Sequence, residues 1–384
     1  MRRLTLFVIG VAALALVAPM VLSRGDAPPV RAQLITGAAE DAAGFAHADG
    51  PRAFRFPEDH GPHPDYQTEW WYYTGNLEAA GGRRFGYQLT FFRRAMAPPA
   101  ARAARASAWA ADQVYLAHFA VSDVDSARYQ AFERFARGAA GLAGAESPPY
   151  RVWLEDWRVD EIAPGVYQMR AAQGGLALDL TLTDAKGPAL QGDRGYSQKG
   201  SDPGNASYYY SLTRLETAGA VRVGEETFAV SGLSWMDHEF STSALAPNQV
   251  GWDWFALQLD DGTELKVFHL RNADGGVDPF SSGSFVAADG AVTRLRRDDF
   301  SIDAEATWDS PHSGAVYPAR WTVTAPALGL TLRVEPLLAD QELNVSYTYW
   351  EGAVRVEGER AGQPVRGQGY VELTGYAASM QGQF

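Results

Sequence analysis

The chain of 384 residues contains no cysteine. That absence excludes disulfide bridges, thiolate metal sites, a cysteine nucleophile and a lipid anchor built on an N-terminal cysteine, so stability has to come from packing. Basic residues are in deficit as well: 33 Lys and Arg stand against 46 Asp and Glu, a formal net charge of −13. Binding to a phosphate backbone depends on clustered cations, so no nucleic-acid partner is expected. Also missing are a Gly-x-Ser-x-Gly elbow, a His-Glu-x-x-His pair, a phosphate loop and a dinucleotide glycine fingerprint. Hydrolysis by a serine triad or a zinc centre lacks its usual marks, and neither a cofactor nor a metal is expected.

What is present begins with an address. Arg2 and Arg3 precede an uncharged, mostly apolar run from Leu4 to Leu22, and Ser23, Arg24 and Gly25 follow. This is the charge-then-apolar order of an export signal. The run is also about long enough to span a bilayer. Residues 1–23 therefore read as a signal peptide or as an N-terminal anchor, residues 4–22 being the inner-membrane tether in the second case. The body is expected outside the cytoplasm, periplasmic or secreted. Residues 24–52, rich in Ala, Gly, Pro and Asp without sustained periodicity, read as a linker, and the fold is expected to start near Phe54.

Beyond that point the apolar period is two. Phe85, Tyr87, Leu89 and Phe91 alternate with Gly86, Gln88, Thr90 and Phe92; Leu176, Leu178, Leu180 and Leu182 alternate with Ala177, Asp179 and Thr181. Phe255 to Leu259 and Leu328 to Val334 repeat the pattern in the second half. These are antiparallel strands, and Asp260-Asp261-Gly262 and Asp289-Gly290 are hairpin turns between them. Met96 to Ala111, with Pro98-Pro99 and many alanines, reads as a surface insertion. No long helical periodicity competes. The length exceeds what one core usually fills, so an all-β chain of two tandem antiparallel barrels is expected, 53–243 and 244–384, joined within Ser241 to Asn248.

Two stretches near that junction set carboxylates among large rings: Trp235-Met236-Asp237-His238-Glu239-Phe240-Ser241 and Gly251-Trp252-Asp253-Trp254-Phe255. Strand geometry puts Asp237 and Glu239 on one face, about 7 Å apart, with His238 on the other. The three cannot surround one ion without a bulge. Trp252 and Trp254 share a face and Asp253 points away. In Glu69-Trp70-Trp71-Tyr72-Tyr73, Glu69, Trp71 and Tyr73 share one face, Trp70 and Tyr72 the other; such a stripe is more often core than cavity wall. His118 lies in an apolar strand, where a lone histidine is usually a hydrogen-bonded core residue, and Tyr209 follows a Gly-rich loop, Gly195 to Gly200, that suits a pocket mouth or a plain hairpin equally. A carboxyl group walled by indoles loses water, which favours its neutral form, and the rings stabilise a cation formed beside them.

With these segments the chain resembles the carotenoid 1,2-hydratase and AttH-like family, together with its branch of predicted secreted hydrolases. The matching residues are Glu69 to Gly75, Tyr87 to Arg93, His118 to Asp123, Ser207 to Arg214, Trp235 to Ser241 and Gly251 to Leu259. The resemblance implies two lipocalin-like barrels around an apolar, isoprenoid- or lipid-like molecule, and cofactor-free addition of water across a C=C bond by a hydro-lyase. Asp237 is then the acid, with His238 or Glu239 orienting it or handling water. Glu69, Trp70, Trp71, Tyr73, His118, Tyr209, Trp235, Trp252, Asp253 and Trp254 are the candidate substrate contacts. Two alternatives stand beside it: a non-catalytic periplasmic carrier of hydrophobic ligands associated with an ABC transporter, and a secreted hydrolase. A monomer is expected.

Overall fold

Alternating side chains separated by glycine-containing turns become long antiparallel ladders in the computed structural model, which describes residues 42–102, 107, 109–242 and 245–382. The expected export segment, the tether at 4–22 and residues 24–41 of the expected linker lie outside the described residues. Among the described residues no helix is long and apolar enough to cross a membrane.

The first sheet contains β1 (Thr68–Ala79), β2 (Arg84–Ala95), β3 (Gln113–Asp123), β4 (Arg128–Arg137), β5 (Ala143–Glu146), β6 (Arg151–Leu154), β7 (Trp157–Ala163), β8 (Val166–Gln173), β9 (Leu176–Asp184), β10 (Pro188–Leu190), β11 (Tyr196–Gln198), β12 (Ala206–Val223) and β13 (Glu226–Ser241). Its hydrogen-bonded path runs β4-β3-β2-β1-β13-β12-β9-β8-β7-β6-β5, with β10 and β11 added against β12. The path ends approach, since β3 packs on β5 and β4 on β6, so the sheet rolls into a nearly closed barrel.

The second sheet contains β14 (Gln249–Leu259), β15 (Glu264–Asn272), β16 (Ser282–Val286), β17 (Val292–Arg296), β18 (Ser301–Asp309), β19 (Val316–Ala325), β20 (Leu330–Pro336), β21 (Glu342–Asn344), β22 (Thr348–Arg360) and β23 (Gln363–Leu373). Its order is β17-β16-β15-β14-β23-β22-β20-β19-β18, with β21 on β22. This sheet is curled but open. The expectation of two closed lipocalin-like barrels is met in the antiparallel architecture and only approached in closure.

The central strands are buried on both faces, because one face fills a barrel and the other meets the second sheet. Trp71, Tyr73, Leu89, Phe91 and Phe119 point into the first core. Tyr72 and Trp235, one step away along β1 and β13, pack with Trp254, Phe268, Ala353 and Tyr370 of the second sheet. A Cβ on Gly86 of β2 would stand 2.6 Å from Ala353 Cβ, so the sheets touch there only because the side chain is absent. A register shift between Leu212 and Leu215 interrupts β12. Such bulges redirect side chains. Here Arg214 Nε donates to Glu264 Oε1 at 2.6 Å, while Gln258 Nε2 of the second sheet donates to Thr213 O at 2.8 Å. Lys186 Nζ reaches the other Glu264 oxygen at 2.7 Å, so one fully buried carboxylate of the second sheet is held by two cations of the first.

The stretch before β1 corrects the linker boundary. Phe45 and Ala48 are buried, Ala48 against Ala206, Tyr208 and Phe240, so packing starts inside the expected 24–52 linker. Its small and polar composition hid this, because its apolar residues answer to the groove they lie in and to no period of their own.

Candidate functional site

Where the facing strands of the two sheets separate, they leave an open-mouthed hollow with a cavity volume of about 120 Å³. Trp70, Tyr72, Trp252, Trp254 and Phe268 supply much of its wall, and Asp237, Glu239, Lys199 and Glu372 supply its charges. Its lining is that of a small-molecule site: concave, mostly apolar, with a few polar groups converging.

The first-sheet side of the hollow carries a hydrogen-bonded carboxyl. Asp237 Oδ1 accepts from Ser211 Oγ at 2.5 Å and from Trp235 Nε1 at 2.7 Å, and Oδ2 accepts from the Tyr209 hydroxyl. The same hydroxyl accepts from Trp254 Nε1 at 3.2 Å, which ties the aspartate to the second sheet. Burial raises the Asp237 pKa, against the pull of nearby Lys266 and the three donors. Glu239, one strand pleat away, accepts from Ser207 Oγ and pairs with Lys199 Nζ at 3.0 Å. Lys266 Nζ lies 4.2 Å from the Tyr209 ring centroid and 4.3 Å from that of Phe268. Burial, reinforced by Lys199, pulls its pKa down to about 7.

The second sheet, which contributes Lys266, also carries two carboxyls that no ion pair reaches among the described residues. Burial pushes Glu372 up to about 7; a hydrogen bond from Trp252 opposes this, and the charges of Asp237 and Glu239 add to it. Glu351, directly opposite it across β22 and β23, accepts from the Tyr72 hydroxyl and is raised well above the carboxylate range by burial and then by Glu372.

Of the residues singled out in the sequence, Asp237, Glu239, Trp70, Tyr209, Trp252 and Trp254 come together around the hollow. Trp235 stands behind Asp237 and donates to it. The others lie elsewhere. His238, grouped with Asp237 in the sequence, points into the first barrel: Nε2 hydrogen-bonds with Glu69 Oε1 at 2.8 Å, Nδ1 with the Tyr210 hydroxyl at 3.0 Å, and the ring stacks on Trp71. Glu69 also receives Arg93 Nε at 2.8 Å and meets His63 Nδ1 at 2.7 Å; burial works against its charge, but Arg93 and His63 prevail and its pKa lies well below the usual range. Ligand-type atoms of His63, Glu69 and His238 lie within 4.8 Å of one another, each already engaged in these contacts. Trp71 and Tyr73 are core. Asp253 turns into the second sheet, where Arg271 Nε at 2.9 Å and the Tyr376 hydroxyl at 3.0 Å hold it. His118 stands one residue back from the hollow, 2.8 Å from the hydroxyl of Tyr349, which does line it. These displacements share a cause: a β pleat sends neighbouring residues to opposite sides.

Sequence reasoning missed Glu372, Glu351 and Lys266. Each is a charged residue set directly between uncharged, mostly apolar neighbours, Val371 and Leu373, Trp350 and Gly352, Leu265 and Val267, and that is the signal they offered.

The ensemble is an all-β protein of two antiparallel sheets enclosing an aromatic-walled, acidic hollow. A family profile described as AttH-like matches residues 47–376, and the chain belongs to that family. It is similar to a crystal structure described as an AttH of Nitrosomonas europaea, with 35% identity over 86% of this chain and 100% of that one, TM-score 0.76. It shares its fold with kievitone hydratase of Nectria haematococca, at 14% identity over 87% of this chain and 96% of that one, TM-score 0.66. No curated protein sequence matches it.

Proposed function

We propose that this protein, exported from the cytoplasm by residues 1–23, binds an apolar, isoprenoid- or lipid-like molecule in the hollow between its sheets and adds water to one of its C=C bonds. The observation that carries this reading is Asp237: a desolvated carboxyl, fixed by Tyr209, Ser211 and Trp235, at the wall of an aromatic-lined hollow. Protonating an isolated alkene creates a tertiary cation. Indole and phenol faces such as those of Trp70, Tyr72, Trp252 and Trp254 stabilise a desolvated cation by about 2 kcal/mol. A carboxylate beside it stabilises it further and receives the proton that the attacking water releases. Glu239 and Lys199 form the polar end at which such a water is held.

The test uses two acyclic probes, lycopene and citronellol, incubated with the purified protein in ¹⁸O-labelled water. The expected result is an alcohol carrying one labelled oxygen, lost in Asp237→Asn with melting temperature nearly unchanged. Tight binding of both probes without labelled product after long incubation favours the carrier. Product formation that survives in Asp237→Asn removes Asp237 from the chemistry.

A further inference from the structure

We propose that Glu372, contributed by the second sheet, is the acid that gives its proton to the double bond, and that Asp237 on the facing sheet is the carboxylate that takes a proton from the attacking water. This rests on the hydration reading and divides its two proton transfers between the two halves of the molecule.

The division follows from where the cations are. Of the first-sheet acids, Glu239 is paired with Lys199, and Asp237 has Lys266 of the second sheet nearby and three hydrogen-bond donors aimed at it, all of which oppose the rise that burial imposes on its pKa. On the second-sheet side, no ion pair reaches either Glu372 or Glu351 among the described residues. The two carboxyls are cross-strand partners with side chains on the same face, where two like charges oppose each other. Glu351 also has one buried oxygen, Oε2, without a hydrogen-bond partner, which a neutral carboxyl tolerates far better than a carboxylate.

The groups around Glu372 are Trp252 and Trp254 from β14, Tyr349 and Glu351 from β22, Tyr72 from β1, Asp237 and Glu239 from β13, and Lys199 from the loop between β11 and β12. Three of them are acids, and the cation among them is already engaged by Glu239. Glu372 keeps partial accessibility, and that access is to the hollow it lines. Burial raises both acids, but a cation and three donors oppose this at Asp237 while neighbouring acids reinforce it at Glu372, so Glu372 is placed as the donor and Asp237 as the acceptor.

The step balances without a co-reactant. The alkene π pair takes the Glu372 proton, forming one C–H bond and leaving a cation at the more substituted carbon. A lone pair of water forms the C–O bond, and the released proton passes to Asp237. Alkene and water become an alcohol, Glu372 is left as carboxylate and Asp237 as acid, and exchange with water at the open mouth restores both.

Two readouts test the assignment. The first needs no turnover: infrared difference spectra taken a unit to either side of neutrality. The expected result is a protonated-carboxyl band that titrates near 7 in the wild type, is absent from Glu372→Gln, and titrates at lower pH in Asp237→Asn. The second is turnover of citronellol. In Glu372→Gln, kcat is expected to fall about 100-fold or more with KM unchanged, and the wild-type decline in rate on raising pH through about 7 should vanish. Glu372→Asp, which keeps an acid, should restore a pH-dependent rate if the Gln variant is altered in fold. A titrating band that survives in Glu372→Gln, or no titrating band in the wild type, overturns the assignment whatever the probe does. A band that belongs to Glu372 in a protein that hydrates neither probe shows that the reaction, and this role with it, is wrong while the proton is where the geometry puts it.

Discussion

Asp237 and His238 are consecutive residues of one strand that serve different compartments, Asp237 bound by Tyr209 and Trp235 at the hollow and His238 bound by Glu69 and Tyr210 inside the first barrel. Changes at the two positions should therefore separate. His238→Ala takes one hydrogen bond each from buried Glu69 and Tyr210, which keep Arg93, His63 and His60 as partners, and should cost about 1–3 kcal/mol in denaturant unfolding, with the hollow intact. Asp237→Asn should lose turnover with a much smaller loss of stability. Equal stability losses at both sites would contradict the separation.

The sheets are held together at Glu264, which receives Lys186 and Arg214 from the first sheet. Glu264→Ala leaves two cations without their partner in a dry interface and should cost about 3 kcal/mol or more. Equilibrium unfolding of this variant beside Lys186→Ala measures it; a near-neutral effect would mean that the apolar contacts alone hold the sheets together.

Gly86 lies against Ala353 across the interface. Gly86→Ala drives two methyl groups into overlap and should cost about 1–3 kcal/mol. Adding Ala353→Gly returns the space. The double variant should then recover part of that loss, and a double-mutant cycle on melting data gives the coupling.

Glu372 carries a pH dependence whose sign follows from its direction of shift. Its pKa is raised from 4.5 to about 7 in the folded protein. Between those values the folded state binds more protons than the unfolded one, so the contribution is full below 4.5 and is lost as pH rises through about 7. The stability of the wild type relative to Glu372→Gln should fall by on the order of 2 kcal/mol across that window. A difference that stays flat from acid to neutral pH would show that Glu372 ionises normally.

Side-chain facing was legible in the sequence because it is local. The separation of Asp237 and Glu239 from His238, and of Trp252 and Trp254 from Asp253, needs only the pleat, and the strand registers reproduce it. The AttH-like resemblance was legible through segments that turn out to be the central strands. The partners of those residues were not. Glu372 enters the site because β23 pairs with β14, a contact between strands more than a hundred residues apart, and Asp253 is satisfied by Arg271 and Tyr376, which nothing near it announces. Closure was illegible as well: alternation says that a strand has an inner face and is silent on whether the last strand meets the first.

Among the described residues, Trp71 and Tyr73 fill the first barrel and Trp321 and Trp350 the core of the curled second sheet, so the hollow belongs to neither half and lies along their seam. Substitutions in its wall, at the half-buried Leu245 for example, alter the shape on offer while the two main cores are built of other residues. Descendants of such a scaffold are free to change diet without rebuilding the house.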